Sequence, residues 1–276
     1  GAAFTRDDGV LHPQAVVGAL AGIVRSQGVA IWDECQVEKV LFGDGRVTGV
    51  LVGGGGPGSG LEIRADAVLV AAGYWSADLL RRSQCSIPLK RSLDKDTVFA
   101  LGQGQYAWGV PSILDSIQGD MTIIPRNPGQ IVVGRQFAPI TFDEGTKPFE
   151  FGGATDVQHM ALISELVERR FRPGCIGPVI GGFSGIVDST PDRAPLIGEY
   201  PGVEGLVVAC GLGGYGLQRG PAVGELVADI ISGRGTAISW REYDLQRLKM
   251  DQEFGALGSA DNPFSTSTRF SSGVVG

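Results

Sequence analysis

The chain has 276 residues, of which 43% are hydrophobic and 19% are charged, a balance that is ordinary for a globular protein with a sizeable core. Its formal net charge of −7, with the basic residues scattered, gives no electrostatic reason to bind nucleic acid or an anionic membrane surface. We therefore expect no nucleic-acid partner. No apolar run reaches the roughly 18 residues of a membrane-spanning helix, so we also expect no membrane span.

The cysteines are far apart in the sequence and form no C-x-x-C pair. His12 and His159 are the only histidines that could join them as ligands, so we expect no metal site. Isolated thiols suit a reducing compartment better than a disulfide framework, and we therefore expect a cytoplasmic protein. The four cysteines are Cys35, Cys85, Cys175 and Cys210.

The first predicted element is a helix over 12–28. Its apolar residues recur at helical spacing, with Pro13 in the first turn and Gly28 as the stop. His12 stands at the start of this helix, where we expect it to act as a cap rather than as a base. The sequence begins at Gly1, already inside a patterned region, which suggests a processed subunit or a fragment.

Strand-like runs follow this helix. A turn at Gly43-Asp44-Gly45 separates two of them, and the glycine-rich run over 53–60 is typical of a flexible hairpin tip. We expect the apolar run Val68–Ala72, which ends at Gly73, to be a buried strand.

From Pro88 to Phe151 the sequence consists of short β-like pieces separated by Gly, Pro and Asn, which predicts an antiparallel sheet. A helix over Thr155–Phe171 follows, with Thr155 or Asp156 as its cap. We expect this helix to bury the side of Met160, Ile163, Leu166, Val167 and Phe171. We expect His159 to face solvent.

Near the C-terminal end, Gly211, Gly213 and Gly216 form a G-x-G-x-x-G pattern between a strand-like and a helix-like run. A dinucleotide-binding turn would need a second strand after the helix, but the sequence beyond Gly233 is polar. These glycines therefore allow the backbone to approach a group other than a dinucleotide phosphate, or they allow close packing of the helix on the strand.

The pattern of elements predicts a mixed α/β fold with a discontinuous first domain. We expect this domain to comprise 1–87 and 180–235, interrupted by a sheet-plus-helix domain of 88–179. An extension and tail over 236–276 complete the predicted organisation.

Three segments carry a resemblance to a known family: DDGVLHPQAVVGALAGIVRSQGVAI, ADAVLVAAGYWSADLL and DSTPDRAPLIGEYPGVEGLVVACGLGGYGLQRGPAVGE. Together they resemble the D-amino-acid oxidase superfamily of FAD-dependent amine oxidoreductases, which includes glycine oxidase and the β subunits of sarcosine oxidase and proline dehydrogenase. The resemblance implies an FAD cofactor. It also implies an incomplete FAD/NAD(P)-binding Rossmann-like domain with an inserted antiparallel-sheet substrate domain.

The resemblance also implies a set of cofactor contacts. In the family, the turn that matches Gly211–Gln218 passes beside the flavin ring, where its backbone N–H groups bond the pyrimidine end. Gln218 is also the candidate for a catalytic role. The residues implied to contact FAD are Val37, Ala72, Gly73, Trp75, Gly211, Gly213, Gly214, Tyr215, Gly216, Leu217 and Gln218.

The sequence departs from the family pattern in three places. The N-terminal βαβ segment that holds the FAD pyrophosphate is missing, so either a second chain supplies it or the sequence is incomplete. Gln218 replaces the lysine of sarcosine oxidase, and Val187-Asp188 replaces the Arg-Pro of glycine oxidase. Three arginines that could bind a substrate carboxylate are left unassigned, namely Arg126, Arg135 and Arg193.

The resemblance implies oxidation of the C–N bond of an amino acid or a secondary or tertiary amine, such as sarcosine, glycine or a proline-like substrate, by hydride transfer to the flavin. Two alternatives stay open. One is a non-catalytic subunit or fragment of a heteromeric flavoenzyme. The other is an FAD-dependent dehydrogenase of the hydroxy-acid or glycerol-phosphate type.

Overall fold

A computed structural model of the chain describes residues 9–53, 60–102, 111–115, 121–126, 129–135, 155–237 and 239–248. Most of the hairpin tip predicted over 53–60, and the end of the chain from 249, lie outside these residues. The chain divides into two compact units. The glycine-turn unit contains Val17–Ser92 and the described part of Val187–Leu257, and the sheet unit contains the described parts of Gly1–Val16 and Leu93–Ile186.

Four helices and eleven strands are present in the described ranges. The helices are α1 (Pro13–Ser26), α2 (Ser76–Arg82), α3 (Val157–Arg170) and α4 (Gly216–Ile231). The strands are β1 (Gln36–Gly43), β2 (Arg46–Gly53), β3 (Glu62–Arg64), β4 (Val68–Val70), β5 (Lys90–Leu101), β6 (Ile113–Asp115), β7 (Met121–Pro125), β8 (Gln130–Arg135), β9 (Ile176–Ser189), β10 (Leu196–Glu199) and β11 (Leu206–Cys210). In this part of the chain, no helix has the length and apolarity needed to cross a membrane.

Helix α1 confirms the first predicted helix. The Nδ1 atom of His12 accepts a hydrogen bond from the Ala15 N–H at 3.4 Å, which confirms its role as a cap. The helix nevertheless has no buried residue. Val17, Leu20 and Ile23 are 58%, 53% and 54% exposed, so nothing in the described ranges covers the apolar side of α1.

The glycine-turn unit contains two three-stranded sheets, ordered β1–β2–β3 and β10–β11–β4. The predicted turn between β1 and β2 is confirmed, with left-handed φ angles of 52° at Asp44 and 78° at Gly45. In the second sheet, β11 is antiparallel to β10 and parallel to β4.

Strand β11 is buried at all five of its residues, which makes it the centre of this unit. Its neighbour β4 differs from the expected buried strand. Val70 is buried, but Leu69 is 41% exposed and Val68 only partly buried, so the prediction for Val68–Ala72 was wrong in this respect. The physical reason is that β4 is an edge strand, with β11 as its one neighbour among the described strands.

The sheet unit holds a five-stranded sheet, ordered β6–β7–β8–β5–β9. The β5–β8, β6–β7 and β7–β8 pairs are antiparallel, as predicted. Helix α3 packs on this sheet through Ile163 and Val167, which are buried against a core that includes Phe99, Ile131 and Val133. This burial confirms the predicted inner side of α3.

The cap of α3 is Asp156, whose carboxylate accepts the His159 N–H at 2.8 Å. The prediction that His159 faces solvent was wrong. Its Nε2 atom is buried without a hydrogen-bond partner among the described residues, and burial lowers the pKa of this imidazole. The reason is helical geometry, since His159 lies four residues before Ile163 and shares its inward side.

Candidate functional site

The candidate site lies where two parallel strands end. Strands β4 and β11 pair in parallel, with Val68 opposite Leu206 and Val70 opposite Val208, so their carboxyl ends meet at one edge of the sheet. Each strand leads through two residues into a 3₁₀ turn and then a helix. We name Ala71–Trp75 the first turn and Gly211–Tyr215 the second turn. Ligands of open α/β sheets bind at this kind of edge.

The first turn is open. Gly73 has a left-handed φ of 53°, which glycine adopts without strain, and a Cβ added to it would meet no atom of the described residues within 4 Å. The 3₁₀ turn over Gly73–Trp75 leads directly into α2 at Ser76. The rings of Tyr74 and Trp75 lie 4.1 Å apart between centroids, and Trp75 is 47% exposed.

The second turn is packed at its start and open farther on. Gly211 is buried with a φ of 72°, and a Cβ there would lie only 2.8 Å from Cγ2 of Thr190. Gly213 also has a left-handed φ, of 59°. Gly214 has neither constraint, because its φ is not left-handed and a Cβ would meet no atom within 4 Å in the part of the chain that the structure describes. The fold alone therefore does not require glycine at 214.

A carboxylate holds the second turn from behind. Oδ2 of Asp188 accepts the Gly211 N–H at 2.7 Å, and Oδ1 accepts the Gly213 N–H at 3.3 Å. These two N–H groups are therefore not available to a ligand. The N–H groups at the start of α4 have no partner within the helix and point outward from its end. Reasoning from the sequence missed this role of Asp188, since the contact joins residues 23 apart and no local pattern indicates it.

A second network supports the loop under Gly211. Oγ1 of Thr190 donates to the carbonyl of Ala194 at 2.7 Å. The guanidinium of Arg247 donates to both carboxylate oxygens of Asp192, at 2.7 and 3.0 Å, and to the Ala194 carbonyl at 2.7 Å. Residues 239–248, which include Arg247, thereby stabilise the loop Thr190–Arg193, which we name the T-P-D-R loop. Leu245 anchors the same stretch in the core with no exposed surface.

The cysteine beside the second turn, Cys210, has an unreactive thiol. Cys210 ends β11 and is buried, and burial together with the nearby Asp188 carboxylate raises the pKa of its thiol. The group therefore stays protonated and is a poor nucleophile. All four cysteines are free thiols, and the described residues contain no group of three His, Cys, Asp or Glu placed to hold a metal ion.

The structure brings ten of the eleven predicted contact residues to this edge. Ala72, Gly73 and Trp75 lie in or beside the first turn, and the residues from Gly211 to Gln218 form the second turn and the start of α4. Gln218 is exposed on α4. Val37 lies on β1 in the other sheet, where it packs against the core of the unit.

The three unassigned arginines lie in different settings. The guanidinium of Arg126 is 4.9 Å from the ring centroid of Phe183 in the sheet unit. Arg135 ends β8, with a buried Nε that has no hydrogen-bond partner in the described part of the chain. Arg193 belongs to the T-P-D-R loop and has a left-handed φ of 59°.

With the fold and the two turns defined, comparison with known proteins identifies the class. The family model of FAD dependent oxidoreductases, called DAO, matches residues 1–230, and the chain belongs to this family. The resemblance noted in the sequence is thereby confirmed, and with it the FAD dependence of the family.

Three individual relatives are at most 30% identical to the chain over their aligned residues. The chain is 27% identical to glycine oxidase of Pseudomonas putida over 85% of its length and 58% of that protein. It is 30% identical to the pyruvate dehydrogenase phosphatase regulatory subunit of mouse, over 94% of this chain and 29% of that protein. Among solved structures, L-proline dehydrogenase from P. horikoshii superposes with a TM-score of 0.71 at 20% identity, covering 85% of this chain and 59% of the other.

The solved structure confirms the predicted fold class, a mixed α/β fold of the FAD-dependent oxidoreductase type. The chain spans a little under three fifths of the glycine oxidase and L-proline dehydrogenase chains, at 58% and 59%.

Proposed function

We propose that the protein uses FAD to oxidise the C–N bond of an amino acid or of a secondary or tertiary amine. Membership of the FAD dependent oxidoreductase family supports the cofactor. Two relatives are named for amino acids, glycine in one case and L-proline in the other. The observation that carries the proposal is the open side of the second turn, where Gly214 and the start of α4 meet at the carboxyl edge of two parallel strands.

The two turns fit a flat, electron-accepting cofactor. At Gly214 the backbone is bare and the space beside it is open, so a ring system can approach closely. The start of α4 adds N–H groups and the positive end of a 16-residue helix, both of which favour negative charge. We propose the same residues for the cofactor site as the sequence analysis does: Val37, Ala72, Gly73, Trp75, Gly211, Gly213, Gly214, Tyr215, Gly216, Leu217 and Gln218.

Within this set the residues have different tasks. Gly211 and Gly213 shape the turn, since their N–H groups already bond Asp188. Gly214, Gly216 and Leu217 offer backbone to the cofactor, and the exposed amide of Gln218 is the side chain that we place nearest to it. Bound FAD supplies the hydride-accepting chemistry, while this chain supplies orientation and electrostatic stabilisation.

We further propose that a segment outside this sequence, in the same polypeptide or in a second chain, covers α1 and the edge of β4 that has no partner among the described strands. Support comes from the apolar side chains of Val17, Leu20 and Ile23, each more than half exposed. An amphipathic or apolar helix gains most of its stability from packing, which the described residues do not provide for α1. A strand–helix unit that carries the pyrophosphate site of FAD is the occupant that we propose.

The free state of all four cysteines supports a reducing compartment, and we propose the cytoplasm. A second candidate function is that of a non-catalytic subunit. The similarity to a regulatory subunit of mouse, at 30% identity over 94% of this chain, favours it.

A visible spectrum of the native complex separates these candidates. The protein is purified with whatever co-purifies, its components are identified by mass spectrometry, and turnover of glycine, sarcosine and proline is measured. We expect a flavin absorbance band at about 450 nm, a property of the cofactor itself. A native complex without flavin would contradict the enzyme proposal and favour the non-catalytic subunit. Mass spectrometry also shows whether a second chain is present.

A pair of tryptophan variants tests the second turn. Gly214→Trp would fill the open space where we place the flavin, so we expect a loss of flavin occupancy of at least tenfold. Gly224→Trp is the matched control, because Gly224 is exposed on α4 and also has nothing within 4 Å of a Cβ. Equal flavin occupancy in both variants would remove the second turn from the site.

A further inference from the structure

The G-x-G of the second turn is a binding site for a carboxylate of the chain itself. The φ angles of Gly211 and Gly213 are 72° and 59°, both left-handed. Leu212 between them is right-handed, at φ −72° and ψ −12°. Such alternation turns successive N–H groups toward one point and forms an anion-binding concavity called a nest. The anion at this point is Asp188.

We propose that Asp188 is the positioning residue that sets the shape of the second turn and so determines where the backbone of Gly214 and the start of α4 meet the cofactor. This inference rests on the proposed function, since it concerns the same turn. It adds a residue on β9 that the cofactor contacts do not include.

The chemistry of a carboxylate suits this task. Ionised Asp is an acceptor only, with two oxygens, so one side chain accepts two N–H groups at once. The bond from Gly211, at 2.7 Å, has the length of a charge-assisted bond, which is stronger than one between neutral groups, whereas the bond from Gly213, at 3.3 Å, is longer and weaker. Asp188 is buried at 7% exposure and Gly211 is buried as well. Removing the carboxylate would leave a buried N–H without a partner, which is costly.

The geometry also excludes two other roles for Asp188. Both of its oxygens already accept hydrogen bonds from the turn, and the residue is buried, so it is not placed to take a proton from a substrate. Its negative charge also disfavours a substrate carboxylate at this position. Asp188 acts on the cofactor through the turn and does not touch it.

Asp192 offers a matched control. It is a carboxylate in the same D-S-T-P-D string, but it accepts bonds from Arg247 and from the Ala194 N–H, and none from the second turn. Asp192→Asn therefore makes the same chemical change as Asp188→Asn, removing one charge from the same D-S-T-P-D string, while leaving both turn bonds in place.

The first measurement does not depend on flavin. Amide proton exchange and chemical shifts of Gly211 and Gly213 are recorded by NMR in the full chain labelled with ¹⁵N-glycine. In Asp188→Ala we expect protection of both amides to fall at least tenfold, and in Asp188→Asn, which keeps one acceptor oxygen, we expect a smaller loss. Asp192→Asn should leave both amides protected. Unchanged amides in Asp188→Asn and Asp188→Ala, or an equal loss in Asp192→Asn, would overturn the inference.

The second measurement is the dissociation constant of FAD in the holoenzyme. We expect a rise of about tenfold or more in Asp188→Ala, a partial rescue in Asp188→Asn, and a smaller rise in Asp192→Asn. Equal weakening in the Asp188 and Asp192 variants would overturn the positioning role. If the wild-type protein bound no FAD, the proposed function would fail, while the amide measurement would still decide whether Asp188 shapes the turn.

Discussion

The two glycine turns use the same backbone device in opposite ways. Both follow parallel strands, both contain glycine with a left-handed φ, and both lead through a 3₁₀ turn into a helix. In the first turn Gly73 is exposed, a Cβ added to it would lie more than 4 Å from every described neighbour, and α2 has seven residues. In the second turn Gly211 is buried against Thr190, its N–H bonds Asp188, and α4 has 16 residues.

This difference separates conformational need from packing need. At Gly73 only the φ angle calls for glycine, whereas at Gly211 the φ angle and the neighbouring Thr190 both do. The Asp188 side chain, from elsewhere in the chain, bonds the second turn, whereas the Trp75 N–H of the first turn donates to the carbonyl of Ala72 within the same turn.

The largest expected effect on stability comes from two single alanine variants, one in each turn. Gly211→Ala adds left-handed strain of about 1–2 kcal/mol and an overpacking cost, so we expect a loss of about 3 kcal/mol in the free energy of unfolding. Gly73→Ala adds strain alone and should cost about 1 kcal/mol. Urea unfolding of the two variants measures the difference. Equal losses of unfolding free energy in the two variants would contradict the conclusion that packing adds to the need for glycine at Gly211 but not at Gly73.

The packing part of this effect has its own control. Thr190→Ser removes the Cγ2 atom that lies 2.8 Å from the added Cβ and keeps the hydroxyl that bonds the Ala194 carbonyl. Combined with Gly211→Ala, it should recover about 1 kcal/mol, the overpacking share, and leave the strain.

The next largest effect on stability is expected at the ion pair between Asp192 and Arg247, which supports the loop under the second turn. Burial opposes ionisation of Asp192, but the hydrogen bonds from Arg247 and the Ala194 N–H outweigh it and lower the pKa of this carboxyl. Its stabilising contribution is therefore complete above the unfolded pKa of about 3.9 and is lost as the pH falls below it. Arg247→Met should reduce the free energy of unfolding by about 1–3 kcal/mol at pH 7 and by less at pH 3.

Arg241→Met is the matched control for this variant, because Arg241 is exposed in the same C-terminal stretch. We expect it to change the free energy of unfolding by less than about 0.5 kcal/mol. A pH-independent loss in Arg247→Met would show that its packing, and not its pairing with Asp192, supports the loop.

The smallest effect on stability is expected from the exposed aromatic residues of the turns. Trp75 and Tyr215 are 47% and 39% exposed, so replacing either with alanine should change the free energy of unfolding by less than about 0.5 kcal/mol. If both turns border the cofactor, each variant should still weaken FAD binding several-fold. A loss confined to Tyr215→Ala would restrict the site to the second turn.

Local patterns predicted much of the fold. The turn at Gly43-Asp44-Gly45, helix α1 and the cap of α3 at Asp156 all depend on residues within a few positions of one another. The errors concern burial. Val68–Ala72 was expected in the core, and the partial exposure of β4 depends on strand neighbours that are distant in sequence. His159 was expected in solvent, but its spacing of four residues from Ile163 already places it on the inward side of α3.

The candidate site shows the same boundary. The glycine positions of both turns were visible in the sequence, because left-handed backbone and close approach favour glycine. The groups that hold the second turn were not visible, since Asp188 reaches Gly211 across 23 positions and Arg247 reaches Asp192 across 55. Spacing rules describe one element at a time, and these contacts join several.

The apolar side of α1, which no described residue covers, has a consequence for how much of this protein a cell can maintain. Without the covering segment that we propose, the helix would expose Val17, Leu20 and Ile23 to chaperones and proteases, and exposed apolar surface of this kind promotes aggregation. Abundance of the chain would then follow the supply of the covering segment, because uncovered copies would be removed. Assembly would thus be coupled to turnover, and an excess of this polypeptide over its cover would be short-lived.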